Sequence, residues 1–353
     1  MVSDAQGKFD KPQLNADDTL QVPSFSLPFS ALASSQAKAA FYKRLLAPPP
    51  FFGLKTRNID DIRAAMDRSL QPTIDKQYAR YAVAMTERTI AGVFVQEFTP
   101  KAGIAPNNAH RVLINLHGGG FIVTARTQSQ LESVPIAAVG GIKVISIDYR
   151  QAPEHTFPAA SEDVASVYRE VLKTHMPTDI AIYGCSAGGI LAGESIAWFQ
   201  KVGLPNPAAI GVFCASLMWG TGGDSEYVSG RFGGVLPPPG SDSGAEAMLN
   251  SYFKGADMKD PLVTPAASPT VLAKFPPTLF VTGTRAFEMS GATRSHILLA
   301  KAGVESQMYL WDGLDHGFFG DPDLPESAEA YDLITRFFFA QMDKAQHRVT
   351  KLK

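Results

Sequence analysis

The chain has 353 residues, 45% hydrophobic and 19% charged, with a formal net charge of -2. This is the make-up of a globular chain able to bury a large core. It excludes a basic surface built to neutralise phosphates, so nucleic acid is not an expected partner, and no apolar run reaches the length of a membrane span.

The first residues, MVSDAQGKFDKPQLNADD, are polar and lack the apolar stretch of a secretory leader. AKAAFYKRLLAPPPFFG and NIDDIRAAMDRSL read as helices separated by Pro and Gly, and no strong strand is expected before Thr89. From there strands and helices alternate. AGVFVQEF and HRVLINL read as strands, SQLESVPIAAV as a helix, IKVISIDY as a strand and ASEDVASVYREVL as a helix. DIAIYG, the helix AGGILAGESIAWFQKV and the strand AAIGVFCAS follow. Between Leu217 and Pro269 the rhythm gives way to a stretch rich in Gly, Ser and Pro, of the kind that shapes the mouth of a site. It resumes with PTLFVTG, GATRSHILLAKAG, SQMYLWDG and the closing helix ESAEAYDLITRFFFAQM. Alternation of this kind predicts a mostly parallel central sheet with helices on both faces.

Two glycine-rich corners stand out. GCSAG places Ser186 at a strand-to-helix turn, where glycines clear the space a sharp corner needs. In HGGGF, three glycines follow a buried strand, so backbone N–H groups can converge on developing negative charge. The candidate donors are the amides of Gly118 and Gly119, with that of Ala187 after the serine. The pairing suggests nucleophilic acyl chemistry, which needs a base. Of the seven histidines, His110, His175 and His347 sit in polar segments, and His296 sits in a helix. His117 reads as a brace for the glycine loop and His155 as structural. His316 lies in the loop after the last strand, on the serine's edge of the sheet, and is the candidate base. Cys185 and Cys214 read as small buried hydrophobes and suit neither a disulfide framework nor a metal site, which makes a reducing cytoplasm the expected location.

These pieces resemble the hormone-sensitive-lipase-like family of α/β-hydrolases. The matches are HGGGF at His117–Phe121, DYRQAPEHTFPAASED at Asp148–Asp163, GCSAGG at Gly184–Gly189 and DHGFF at Asp315–Phe319. The resemblance implies an α/β-hydrolase fold with a helical cap. It also implies a carboxylesterase acting on a small-molecule ester of short or medium acyl chain, without cofactor or metal, and often a homodimer through an edge strand such as SQMYLW. On that pattern residues 1–89 form a helical arm contributing to the cap, and 90–216 the first part of the catalytic domain. Residues 217–269 are a cap insertion and 270–353 the second part of the catalytic domain. Phe121 and Trp219 are candidates to line the substrate pocket. A receptor-like binding protein on the same fold, or an amidase or peptidase, are the alternatives.

The chain departs from the family twice. Cys185 stands where Asp usually precedes the serine, and Ala286 occupies the position of the expected acid. Glu288, two residues on, can deliver a carboxylate from a shifted backbone position. Asp312 and Asp315 are its rivals, and a helix N-terminal carboxylate is its plain alternative. Asp257, Asp260 and Asp321 read as turn or capping residues. Asp148, Arg150 and Glu162 are expected to form one buried polar network.

Overall fold

The computed structural model describes residues 11–47, 58–218, 223–229 and 251–352. Residues 11–32 belong to a small unit of their own, in which Gln13–Leu14 pairs antiparallel with Leu20–Gln21. The carboxylate of Asp17 holds the intervening turn by accepting from the amide and hydroxyl of Thr19.

The second unit is built on an eight-stranded sheet. Its strands are β1 (Val83–Ile90), β2 (Val93–Pro100), β3 (Val112–Leu116), β4 (Lys143–Ile147), β5 (Ile180–Cys185), β6 (Ala209–Phe213), β7 (Thr278–Gly283) and β8 (Ser306–Trp311). Their spatial order is β8-β7-β6-β5-β3-β4-β2-β1. β2 runs antiparallel to both neighbours, and the others are mutually parallel. Every residue of β3, β5, β6 and β7 is buried, which is why these segments read as continuous apolar runs and not as alternating ones. Helices cover both faces: α1 (Ser35–Leu46), α2 (Ile59–Arg80), α3 (Ala125–Gly140), α4 (Ala159–Val171), α5 (Ala187–Val202), α6 (Met289–Lys301) and α7 (Pro325–Leu352). α3 packs against α2 and α7, and α4 against α5.

The two arm helices have local causes. Ser34 caps α1 by accepting from the Ala37 amide at 3.0 Å, and its own amide and hydroxyl donate to Glu326 at the start of α7. Asn58 caps α2, whose first turn carries Asp60 and Asp61 against the helix dipole. The expected boundary at Thr89 is corrected, because β1 already begins at Val83 and belongs to the sheet. A two-residue turn joins β1 to β2, with Ala91 and Gly92 both at positive φ (52° and 82°). That is the geometry of a tight hairpin. Ala-Gly is a weaker signal than Asn-Gly, and the mostly exposed face of this edge strand gave it a polar pattern.

The Asp148–Arg150–Glu162 expectation is corrected too. Asp148 pairs with Arg126 at 3.0 Å. Arg150 turns instead to Asp163, at 2.9 and 3.0 Å, and to Glu162 at 3.0 Å. Much of the 217–269 insertion lies outside the described residues. Its described parts are anchored at both ends. Ser225 exchanges hydrogen bonds with Ser290, and Tyr252 accepts from the Ala160 amide at 2.8 Å.

The parallel strands deliver one functional candidate after another to the same edge. His117 follows β3, Ser186 follows β5, Cys214 follows β6, Glu288 comes after β7 and His316 after β8. The carboxyl edge of a parallel sheet is where helix N-termini gather and ligands bind.

Candidate active site

Ser186 sits at the corner between β5 and α5 with φ 58° and ψ -123°. A non-glycine residue there stores roughly 1–3 kcal/mol of backbone strain, sustained by the surrounding packing. The Ser186 amide donates to the Phe213 carbonyl at 2.8 Å. Close approach explains the flanking glycines. A Cβ on Gly188 would lie 1.7 Å from the carbonyl oxygen of Leu116, the last residue of β3. No side-chain adjustment relieves a clash with backbone. Gly188→Ala is therefore expected to destabilise the fold by roughly 1–3 kcal/mol or more, read as a lower midpoint in thermal unfolding.

The glycine loop is held from behind. The buried ring of His117 stacks on Tyr149 with centroids 4.1 Å apart, and Tyr149 Oη donates to the His117 carbonyl at 2.6 Å. His117 Nδ1 lies 2.8 Å from the Gly118 carbonyl, and burial lowers its pKa, keeping the ring neutral and Nδ1 the donor. His117 is thus a brace. Gly119 has φ 109°, and a Cβ there would meet the Val123 carbonyl oxygen at 2.0 Å. α2 ties down the next stretch: Arg63 donates to the carbonyls of Ile122 and Ala152 and pairs with Glu154 through both nitrogens at 2.8 Å.

Two expectations about this loop are corrected. The amide of Gly118 is already committed, donating to Glu132 Oε1 at 2.9 Å. Among the described residues, the amides of Gly119, Gly120 and Ala187 have no such acceptor. Phe121 does not line an open pocket. It is wholly buried, stacked on Tyr252 at 4.4 Å and edge-on to Phe253 at 5.3 Å. The positive φ of the loop at Phe121 (61°) accompanies a side chain placed in the core beneath it. Trp219 lies outside the described residues.

His316 Nδ1 is 2.9 Å from Glu288 Oε2, and Glu288 Oε1 accepts from Thr282 Oγ1 at 2.7 Å. Glu288 does stand at the N-terminal boundary of α6, where the helix dipole favours a carboxylate, but its side chain makes no capping bond and reaches His316 and Thr282 instead. The rivals are engaged elsewhere. Asp312 accepts from Thr284 Oγ1 at 3.1 Å, and Asp315 forms an ion pair with Arg44 of α1. Ala286, where the acid was expected, is completely buried in the turn after β7.

Burial disfavours a charged His316, yet the Glu288 carboxylate outweighs it by charge and hydrogen bond, raising the imidazole pKa to about 9. Burial likewise works against ionised Glu288, but His316 and Thr282 hold the carboxyl below its ordinary value. The Phe287 ring stacks on His316 at 4.7 Å. The amide of Gly317 donates to Cys214 Sγ at 3.0 Å. Since Ser186 is bonded to Phe213 and Gly317 to Cys214, adjacent residues at the end of β6 tether the serine corner and the histidine loop together.

Both cysteines are free and buried. Cys214 Sγ comes within 4.8 Å of the ligand atoms of Glu288 and His316. Beside the histidine loop, a cavity of about 180 Å³ is lined by Phe41 and Arg44 of α1 together with Leu314, Asp315, Gly317 and Phe318.

The site also contains a residue the sequence reading passed over. Glu132 of α3 is 6% exposed and accepts hydrogen bonds from Gly118 N at 2.9 Å, Asn115 Nδ2 at 2.8 Å and Cys185 N at 3.3 Å, with the Gln128 side chain as a further donor. Burial pushes its carboxyl up to about 7, against the lowering effect of these donors. A signal existed, since Glu132 is the only charged residue between Arg126 and Lys143.

The parallel sheet, the strained serine corner and the histidine–carboxylate pair together define an α/β-hydrolase. The profile of the alpha/beta hydrolase fold family matches residues 113–320, and the chain belongs to that family. It is similar to the acetyl-hydrolase of Streptomyces hygroscopicus, with 28% identity over 229 residues, 64% of this chain and 75% of that protein. It is also similar to the carboxylesterase/phospholipase LipF of Mycobacterium tuberculosis, with 25% identity over 66% of this chain and 63% of that protein. Among solved structures, esterase E25 superposes with a TM-score of 0.78 at 30% identity, covering 90% of this chain and 97% of that one. An esterase of the bacterial hormone-sensitive lipase family shares the fold at 24% identity, with a TM-score of 0.72 over 87% of this chain and 97% of that one.

Proposed function

We propose that the chain is a serine carboxylesterase of the hormone-sensitive-lipase type, acting on short- or medium-chain acyl esters through an acyl-enzyme. Its similarity to esterases along most of the chain supports ester hydrolysis as the activity. The observation that carries the mechanism is the 2.9 Å pair of His316 and Glu288 on the sheet edge that also bears Ser186. Ser186 Oγ attacks the ester carbonyl while His316 Nε2 takes its proton. The oxyanion is held by the amides of Gly119, Gly120 and Ala187 at the start of α5. The imidazolium, held in place by Glu288, then protonates the leaving alkoxide. Water deprotonated by the same imidazole attacks the acyl-enzyme, and the acid departs as Ser186 regains its proton.

α1, α2 and the 217–269 insertion are the proposed cap, and the Phe41–Arg44 side of α1 lines a cavity beside the histidine loop. Among the described residues no helix is long and apolar enough to cross a membrane. Two free thiols suit a reducing cytoplasm, and the open edge of β8 is the proposed dimer contact. Hydrolysis of p-nitrophenyl butyrate against the matched butyryl anilide tests the reaction class. Ester turnover with little anilide turnover is expected. Equal turnover of both would favour an amidase, and turnover of neither a binding protein.

The pH profile is a further test. The base must be neutral to accept the serine proton, and Glu288 raises the His316 pKa to about 9. kcat/KM is therefore expected to climb with pH through the neutral range toward that value. In Glu288→Gln the raising charge is gone while burial remains, so the acid limb should move to lower pH. Rate–pH profiles of the two proteins measure the displacement.

A further inference from the structure

The carboxylate of Glu132 lies between the two backbone segments whose amides form the proposed oxyanion site. Its Oε1 takes the amide of Gly118, next to Gly119. Its Oε2 takes the amide of Cys185, next to Ser186, and the side chain of Asn115. A buried acidic side chain is costly unless its oxygens are matched by donors. Here both are matched, and two of the donors belong to the segments that must stay in register. The arrangement is fixed from further out as well. Asn115 Oδ1 accepts from Ser146 Oγ at 2.6 Å, which orients the amide so that its nitrogen faces Glu132. Tyr183 Oη donates to the Glu132 carbonyl at 3.1 Å, tying this turn of α3 to β5.

We infer that Glu132 is a positioning residue for ester hydrolysis, a carboxylate bridge that sets the glycine loop against the serine corner so that the amides of Gly119, Gly120 and Ala187 meet one oxygen. This rests on the reading of Ser186 as the nucleophile. It explains why a glutamate stands in an otherwise uncharged stretch of α3. It also gives the Gly118 amide a role: it anchors the loop and leaves the oxyanion to its neighbours.

Glu132→Gln tests the bridge by polarity. The introduced carbonyl can serve Gly118 or Cys185, and the introduced NH2 group then faces the other donor, so one side of the bridge is lost. Loss of an oxyanion donor costs ~10²–10³ in rate. Misalignment of the set is expected to lower kcat for p-nitrophenyl butyrate by ~10–10²-fold, with KM within about two-fold. Affinity for a trifluoromethyl ketone, which must place an oxyanion in the same site, should fall in parallel with kcat. Combining Glu132→Gln with Asn115→Asp repairs one side only: the new aspartate carboxylate accepts from the glutamine NH2 group and fixes the glutamine carbonyl on Gly118, while the Cys185 amide stays unmatched, so kcat should recover in part and not to the wild-type value. A merely structural glutamate would lower the unfolding temperature and leave kcat per folded active site, counted with a fluorophosphonate, at the wild-type value. That result would overturn the inference. If the single variant does not fold, Glu132→Asp replaces it. Its carboxylate is one methylene shorter and reaches one side of the bridge at a time, so the same loss of kcat is expected. Failure of both to fold would count against a positioning role and for a purely structural one. Wild-type protein that neither hydrolyses the ester nor reacts with the fluorophosphonate would instead refute the proposed function itself.

Discussion

Ser186→Ala is expected to remove at least ~10⁴-fold of kcat for p-nitrophenyl butyrate while the protein unfolds close to the wild-type temperature. The size follows from role, because serine and base act as a unit and losing either forfeits the covalent route; in a well-studied serine protease that loss reaches ~10⁶. The near-unchanged stability follows from packing. The side chain occupies a corner of intermediate exposure, so deleting one hydroxyl opens no core cavity. The positive φ of 58° remains costly for alanine, so the strain is not relieved. Steady-state assays with circular dichroism melts read both quantities. Activity within ten-fold of wild type would remove Ser186 from the mechanism.

Glu288→Gln should lower kcat by ~10³–10⁴, the cost of an uncharged group in place of the triad acid. The geometry says why glutamine cannot substitute. One carboxylate oxygen accepts from His316 Nδ1 and the other from Thr282 Oγ1. A glutamine presents one acceptor and one NH2 group. If its carbonyl stays on His316, Thr282 can turn its hydroxyl to accept, but the negative charge that stabilises the imidazolium is lost. If its NH2 group faces His316, the ring is forced into the tautomer with its proton on Nε2, where it cannot act as a base toward Ser186. Asp312→Asn, by contrast, should leave kcat within a few-fold, since that carboxylate is occupied with Thr284. Kinetics on the two variants side by side separate the assignments. A silent Glu288→Gln with a crippled Asp312→Asn would reverse them.

Much of the fold was legible because the central strands are buried on both faces and so read as apolar runs, while the intervening helices carry charges and clear ends. β1 was not legible, since an edge strand has one solvated side and its Ala-Gly turn carries a weak hairpin signal. In the candidate site, the placement of Ser186 and His316 on one sheet edge could be read because it follows from topology, at the carboxyl ends of parallel strands. Glu288 could be found because a displaced acid on the same loop can still reach the same ring nitrogen. The Gly118 amide was misread because a glycine run says which amides are free of Cβ obstruction, not which already have an acceptor. That acceptor, Glu132, lies 14 residues away on a helix. Phe121 looked like a pocket residue because the loop before it is functional, but its backbone angle turns the ring into the core.

The central claim is that one hydroxyl, activated by the His316–Glu288 pair, forms a covalent bond to the substrate acyl group. Reaction with a fluorophosphonate followed by peptide mass spectrometry tests this most directly. The account predicts a single adduct on Ser186 in the wild-type protein, formed far more slowly in His316→Ala. An adduct on a different residue, or full esterase activity persisting after Ser186 has been replaced, would contradict it.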